Sequence, residues 1–282
     1  MSKLCLPKSV VVGIDGSPAA IRAARWAVRE VAGTAASLRL LYCSELHPDA
    51  NRKARSEMVA AAEKSVHDAC RAIEALGQAV KIEVDMVEDH PLRALVEASE
   101  SAQLLCIGNA ESGTPCGDGF GSTAAQLAQS AYCSLAVVRD EHHTDVTDDR
   151  SIVTLVDGSA TDDAALEWGF DEANRRDAAL VLTTAYRTGF DLQQKDSALL
   201  DHDRCMRAIL DRYVLARGPR YPHVRVRTVT AFSTFVGYLT DHAASTQLAV
   251  ISAQKTSEIS QLFGASGAIA LSHSDFSLLV VG

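Results

Sequence analysis

The 282-residue chain contains no apolar run near the roughly 20 residues a membrane-spanning helix needs. It has no C-x-x-C pair, no Walker-type G-x-x-x-x-G-K-[ST] loop and a shortage of basic charge. Each absence removes a class of function. Lys plus Arg number 27 against 36 Asp plus Glu, a formal net charge of −9. A surface that acidic does not wrap nucleic acid or settle on an anionic membrane. The seven cysteines stand at 5, 43, 70, 106, 116, 133 and 205, an odd number without metal-ligand spacing. Neither a disulfide framework nor a zinc knuckle is expected from them. Cys43 and Cys106 lie in apolar runs and read as buried small hydrophobes, while Cys116 sits in a glycine-rich loop. The opening MSKLCLPKSVVVGID passes from two lysines into a strand, without a small-residue cleavage site. It predicts a cytoplasmic protein with no secretory leader.

Apolar residues make up 47% of the chain and charged residues 22%, the balance of a globular protein with a core. The length suits two domains better than one, and the sequence repeats itself accordingly. VVVGIDGS at 10–17 matches SIVTLVDGS at 151–159, and each is followed by an Ala-rich amphipathic run with a tryptophan, Trp26 or Trp168. QLLCIG then matches QLAVIS, and SLAVVR matches SLLVVG. Between the copies lies DEHHTDVTDD (140–149), with five acids and two adjacent histidines, His142 and His143. Such a segment reads as a solvated linker, and its histidines as solvated rather than metal-bound. The expected division is a first domain at 1–140, a linker at 141–149 and a second domain at 150–282.

In the first copy the pattern predicts strands at 8–14, 37–43, 80–87, 103–107 and 134–139. Helices are expected at 17–32, 52–76, 91–100 and 122–132. The strands are short and rich in Val, Leu and Ile, as in a parallel sheet buried on both faces. Ser17 is placed to cap the first helix, Pro18 to open it and Gly33 to follow it. Alternating strands and helices predict an α/β, doubly wound, five-stranded parallel sheet with right-handed crossovers.

Ligands of such sheets lie beyond the carboxyl ends of the strands. Two places qualify: the turn Asp15-Gly16-Ser17, and the loop GNAESGTPCGDGFGS from Gly108 to Ser122. Five glycines in that loop allow close backbone approach. The helix opening at Gly121-Ser122-Thr123 offers unpaired amides to an anion.

These residues resemble the universal stress protein family, twice over, and most closely its tandem two-domain actinobacterial type. The resemblance implies a strand order of 3-2-1-4-5 in each domain, a stress-response role, no enzymatic activity, and homodimers or an intramolecular pseudo-dimer. Nucleotide-binding members carry G-x-x-G, nine residues, then G-[ST]. Here Gly108 and Gly121-Ser122 keep that spacing, with Glu111 in place of the second glycine. By this resemblance Asp15 faces the adenosine part of ATP, and Gly108, Gly121, Ser122 and Thr123 meet the phosphates and their Mg²⁺. Glu111 and Asp118 oppose this, since a carboxylate a few ångströms from a phosphate is repelled by about 1 to 4 kcal/mol. No Lys or Arg between Gly108 and Ser134 offsets them. Two readings of the first copy stay open, an ATP site and a closed one; a slow ATPase is a third, disfavoured by the absence of a placed general base. In the second copy the register runs Ser252 to Lys255 and then Ala265-Ser266, with every motif glycine replaced. That copy is expected to be degenerate.

Other features read as structural. Trp26 and Trp168 belong to helix packing. GASG at 264–267 is no nucleophile elbow, since G-x-S-x-G is not met. Arg217, Arg220, Arg225 and Arg227 form a short basic stretch, either a contact for an acidic partner or a solvated edge. His90 before Pro91 reads as a turn histidine.

Overall fold

The computed structural model describes residues 9–45, 51–109, 120–139, 149–186, 196–271 and 274–282, without the side chains of 196–199. The described residues between 9 and 139 fall in one compact unit and those between 149 and 281 in another.

The first unit runs β1 (Ser9–Ile14), α1 (Pro18–Val31), β2 (Ser37–Ser44), α2 (Arg52–Glu74), β3 (Lys81–Glu88), α3 (Pro91–Ser99), β4 (Ala102–Gly108), α4 (Ser122–Ser130) and β5 (Ser134–Val138). Its strands stand in the order β3-β2-β1-β4-β5, and all four strand pairs are parallel. This is the expected doubly wound sheet. Each strand and helix lies within two residues of the span its sequence pattern predicts. The local reasons hold as well. Ser17 accepts a hydrogen bond from the Ala20 amide, and Pro18 occupies the first helical turn. Helix α1 buries Ala23, Ala24, Trp26, Ala27 and Val28 against β1 and β4. Val10, Val11 and Val12 of β1 are wholly buried. Central strands covered on both faces have no solvent-facing side, so they read as unbroken apolar runs.

The second unit runs β6 (Ser151–Leu155), α5 (Asp162–Arg175), β7 (Leu180–Ala185), α6 (Asp196–Arg217), β8 (Val226–Ala231), α7 (Phe235–Asp241), β9 (Thr246–Ser252), α8 (Thr256–Phe263), α9 (Ala265–Ala270) and β10 (Ser277–Val281). Its parallel strands take the order β8-β7-β6-β9-β10, which is again 3-2-1-4-5 in their own numbering. The repeat extends to irregularities. The register of β1 on β4 shifts between Ser9 and Val10, and that of β6 on β9 between Ser151 and Ile152. Both shifts come from one extra residue on the partner strand, Gln103 and Gln247.

In the second unit the stretch following β9 is the helix α8, packed on α9. Backbone passes so close there that a Cβ on Gly267 would stand 2.2 Å from the Gln261 carbonyl oxygen. Residues 264–267 thus serve a helix-to-helix contact. Trp26 is core, as expected, whereas Trp168 is half-buried.

Candidate functional site

In the first unit β1 and β4 are neighbours, so the Asp15-Gly16-Ser17 turn and Gly108 share one end of the sheet. The Ser17 amide donates to Asp15 Oδ1 at 2.8 Å, and its hydroxyl oxygen accepts from Ala20 at 3.1 Å. Asp15 is exposed. Gly108 presses on the first turn of α1: a Cβ there would stand 2.2 Å from the Ala19 carbonyl. The Asn109 amide carries the strand ladder one step further, donating to the Val138 carbonyl at 2.8 Å. Asn109 Oδ1 lies 3.8 Å from the position a Gly121 Cβ would take, which sets the turn before α4 beside the end of β4. Gly121 has φ +75°, a conformation that disfavours any side chain. The N-cap of α4 is Gly121, which has no side chain to cap the amides that open the helix, and Ser122 and Thr123 are exposed in its first turn. Asp15, Gly108, Gly121, Ser122 and Thr123 therefore gather at the carboxyl ends of β1 and β4. Glu111, Asp118 and Cys116 lie outside the described residues, as do His142 and His143.

One cation at this end escaped the sequence reading, which counted basic residues only as far as Ser134. Arg139 directly follows β5; it is buried and holds its guanidinium 4.4 Å from the centroid of the Phe120 ring, next to Gly121 in the chain. The sequence pattern places Arg139 as the last residue of a strand at 134–139, and the strand ends one residue sooner, at Val138.

The corresponding place in the second unit is built differently. Asp157 repeats Asp15, accepting from the Ser159 amide at 3.0 Å. Five residues on, where the first copy has Ala20, stands Asp162, fully buried. Its Oδ2 accepts from the amides of Asp157 at 3.0 Å and Gly158 at 2.7 Å and from the Tyr213 hydroxyl at 3.1 Å. Lys255, in the register position of Glu111, reaches over from the end of β9. Its ammonium lies 2.7 Å from Asp157 Oδ2 and 2.9 Å from Asp162 Oδ1, with only 4% of the side chain exposed. Burial alone would raise the Asp157 carboxyl, but hydrogen bonds from Lys255 and Ser159 outweigh it and hold it down at about 2. Burial, together with the neighbouring Asp162, pushes the Tyr213 phenol up to about 12. Two carboxylates against one ammonium leave this cluster net negative. That is the wrong sign for a phosphate.

The remaining candidates resolve into structure. The first two arginines of the basic stretch face their own chain, Arg217 pairing with Asp163 at 2.7 Å and Arg220 with Glu167, while Arg225 and Arg227 are exposed. Tyr221 donates to Asp171 at 2.6 Å. The three acids are spaced by four along α5 and so form one stripe. His90 caps α3 at its backbone and stands 3.6 Å from Glu45. Cys106 is fully buried, while Cys43 is half-buried, its thiol pushed by burial and then by Asp89 to about 11. A groove of about 620 Å³ runs along β3 and α3, lined in part by Arg39, Asp85, Asp89 and Glu97. Its one guanidinium is already paired with Asp85 at 2.6 Å, so it offers an anion nothing. Among the described residues no group of three His, Cys, Asp or Glu could hold a metal ion, and no helix is long and apolar enough to cross a membrane.

Comparison with known proteins agrees with this architecture. The model of the "Universal stress protein family" matches residues 7–139. The chain is 37% identical to Universal stress protein Rv2028c of Mycobacterium tuberculosis, over 98% of this chain and 96% of that protein. It is 34% identical to Universal stress protein Rv2624c of the same organism, over 97% and 96%. Among solved structures, a universal stress protein from Archaeoglobus fulgidus superposes with a TM-score of 0.68, covering 97% of this chain and 95% of that one. At 16% identity that likeness speaks for the fold alone. Identity of this extent along both copies, on a sheet of this strand order, places the chain in the universal stress protein family.

Proposed function

We propose that the protein is a stress-response regulator whose first unit binds an adenine nucleotide, ATP with Mg²⁺, and whose second unit does not. Family membership supports the stress-response role. The observation that carries the nucleotide reading is the opening of α4: a glycine N-cap, Gly121, in a left-handed conformation, and two exposed hydroxyl residues in the first turn. Such an N-terminus presents amides and a favourable dipole to an anion. Gly108 and Asp15 lie at the same end of the sheet, and Arg139 places a positive charge near Phe120. The residues present fit the nucleotide's phosphates better than a metal of their own, so Mg²⁺ would arrive with the phosphates. Gly121, Ser122 and Thr123 would hold those phosphates, and Asp15 would face the nucleoside. The protein is read as a binding module rather than an enzyme. Occupancy of the site would change its contacts with protein partners.

The test starts from purified protein denatured without added ligand, with released adenine nucleotide counted per chain. Mg-ATP is then titrated calorimetrically into the emptied protein. About one nucleotide per chain, lost in Gly121→Val, is the expected result. No released nucleotide and no heat at millimolar ATP would sink the reading and leave a scaffold that binds partners without nucleotide.

A further inference from the structure

We propose that the second unit carries its own occupant: the Lys255 ammonium stands in the mouth between β6 and β9 and holds the Asp157–Ser159 turn in one conformation without any external ligand. The geometry is that of a bound cation. The ammonium bridges Asp157 and Asp162 at 2.7 and 2.9 Å and is almost wholly buried. The other oxygen of Asp162 gathers the two turn amides and the Tyr213 hydroxyl. Asp162 thus links the turn to α6, and Lys255 links both to the end of β9. The first copy has neither half of this device, since Ala20 and Glu111 occupy the two positions. A lone buried charge at either place would be costly to fold around. The two therefore make sense as a pair, one residue supplying the charge the other needs. The first unit's turn stays available to a ligand, while the second unit's turn is permanently engaged. This inference does not depend on whether the first unit binds nucleotide.

Chemical rescue in the full-length chain tests it. Lys255→Ala removes Cγ, Cδ, Cε and Nζ, which together have the shape of n-propylammonium. The variant's unfolding transition should fall by about 10 °C, the usual scale for one lost partner of a buried ion pair. Millimolar n-propylammonium should recover most of the loss, and n-propanol, the same shape without charge, should not. Lys255→Met keeps the volume and loses the charge, so it should be destabilised and not rescued. Equal rescue by propanol, or a Lys255→Met variant as stable as the parent, would overturn the proposal in favour of simple packing. Should the alanine variant fail to fold, hydrogen exchange on the unaltered protein decides. The Asp157 and Gly158 amides should be protected without ligand and unchanged by Mg-ATP. Protection that appears only with nucleotide would refute a resident occupant.

Discussion

Gly108 and Ala19 meet backbone to backbone: the space for a Cβ on Gly108 is taken, at 2.2 Å, by the Ala19 carbonyl. Neither atom set is the mobile end of a side chain, so the contact cannot yield without moving α1 away from β4. Gly108→Ala should destabilise the first unit by about 1–3 kcal/mol, the range for overpacking. It should also weaken any nucleotide binding, because the Asp15 turn leads directly into α1. Urea denaturation and ATP titration check the two effects, and a variant as stable as the parent would show that the contact relaxes freely.

Repulsion by Glu111 is a separate matter of charge. Glu111→Gly restores the family spacing and removes one carboxylate, and the expected outcome is tighter ATP binding, by roughly five- to tenfold for about 1 kcal/mol. Calorimetry in low and high salt checks it. An unchanged affinity would mean that Glu111 turns away from the phosphates.

Acid should find the second unit through Asp157. Its carboxyl titrates near 2 when folded and near 3.9 when unfolded. A folded value below the unfolded one stabilises the protein above about pH 4, and that stability is lost as pH falls from 4 towards 2. Asp157→Asn removes the titrating group. Its stability should decline less steeply across that window, as read from urea midpoints at successive pH values. Parallel curves for the two proteins would remove Asp157 from the acid response.

Division of labour between the units predicts independence in folding. A fragment ending near residue 145 should be soluble, with a cooperative unfolding transition of its own. An insoluble fragment, or a broad non-cooperative melt, would contradict the boundary read in 140–149.

The sheet was legible because its cause is local and periodic. Val10–Val12, the Ser17 cap and Pro18 announce one strand and one helix start within nine residues, and the apolar strand and its Asp-Gly-Ser turn recur 142 residues later at Asp157-Gly158-Ser159. The Lys255–Asp162 pair was not legible by those means. Asp162-Asp163 at a helix start looks like ordinary charge placed on a favourable dipole, and Lys255 looked like one more decayed motif position. Nothing local says that residues 93 apart share one buried contact. The available signal lay in comparing the copies, where two positions acquire opposite charges together. The basic stretch failed for a related reason: its partners Asp163 and Glu167 lie about 50 residues upstream, on a helix face that sequence spacing alone does not assign to it.

Helix α8 gives the second unit's history a direction. It begins directly after Lys255 and packs on α9, so two features stand at this end of the sheet, a buried ammonium and a packed helix. Replacing Lys255 alone would remove the ammonium but leave α8 packed on α9; altering α8 alone would leave the ammonium against Asp157 and Asp162. Either change alone meets selection for binding with nothing to reward. Two obstacles that must fall together act as a ratchet: a duplicated copy that has crossed this point is free to specialise, and the way back is closed one step at a time.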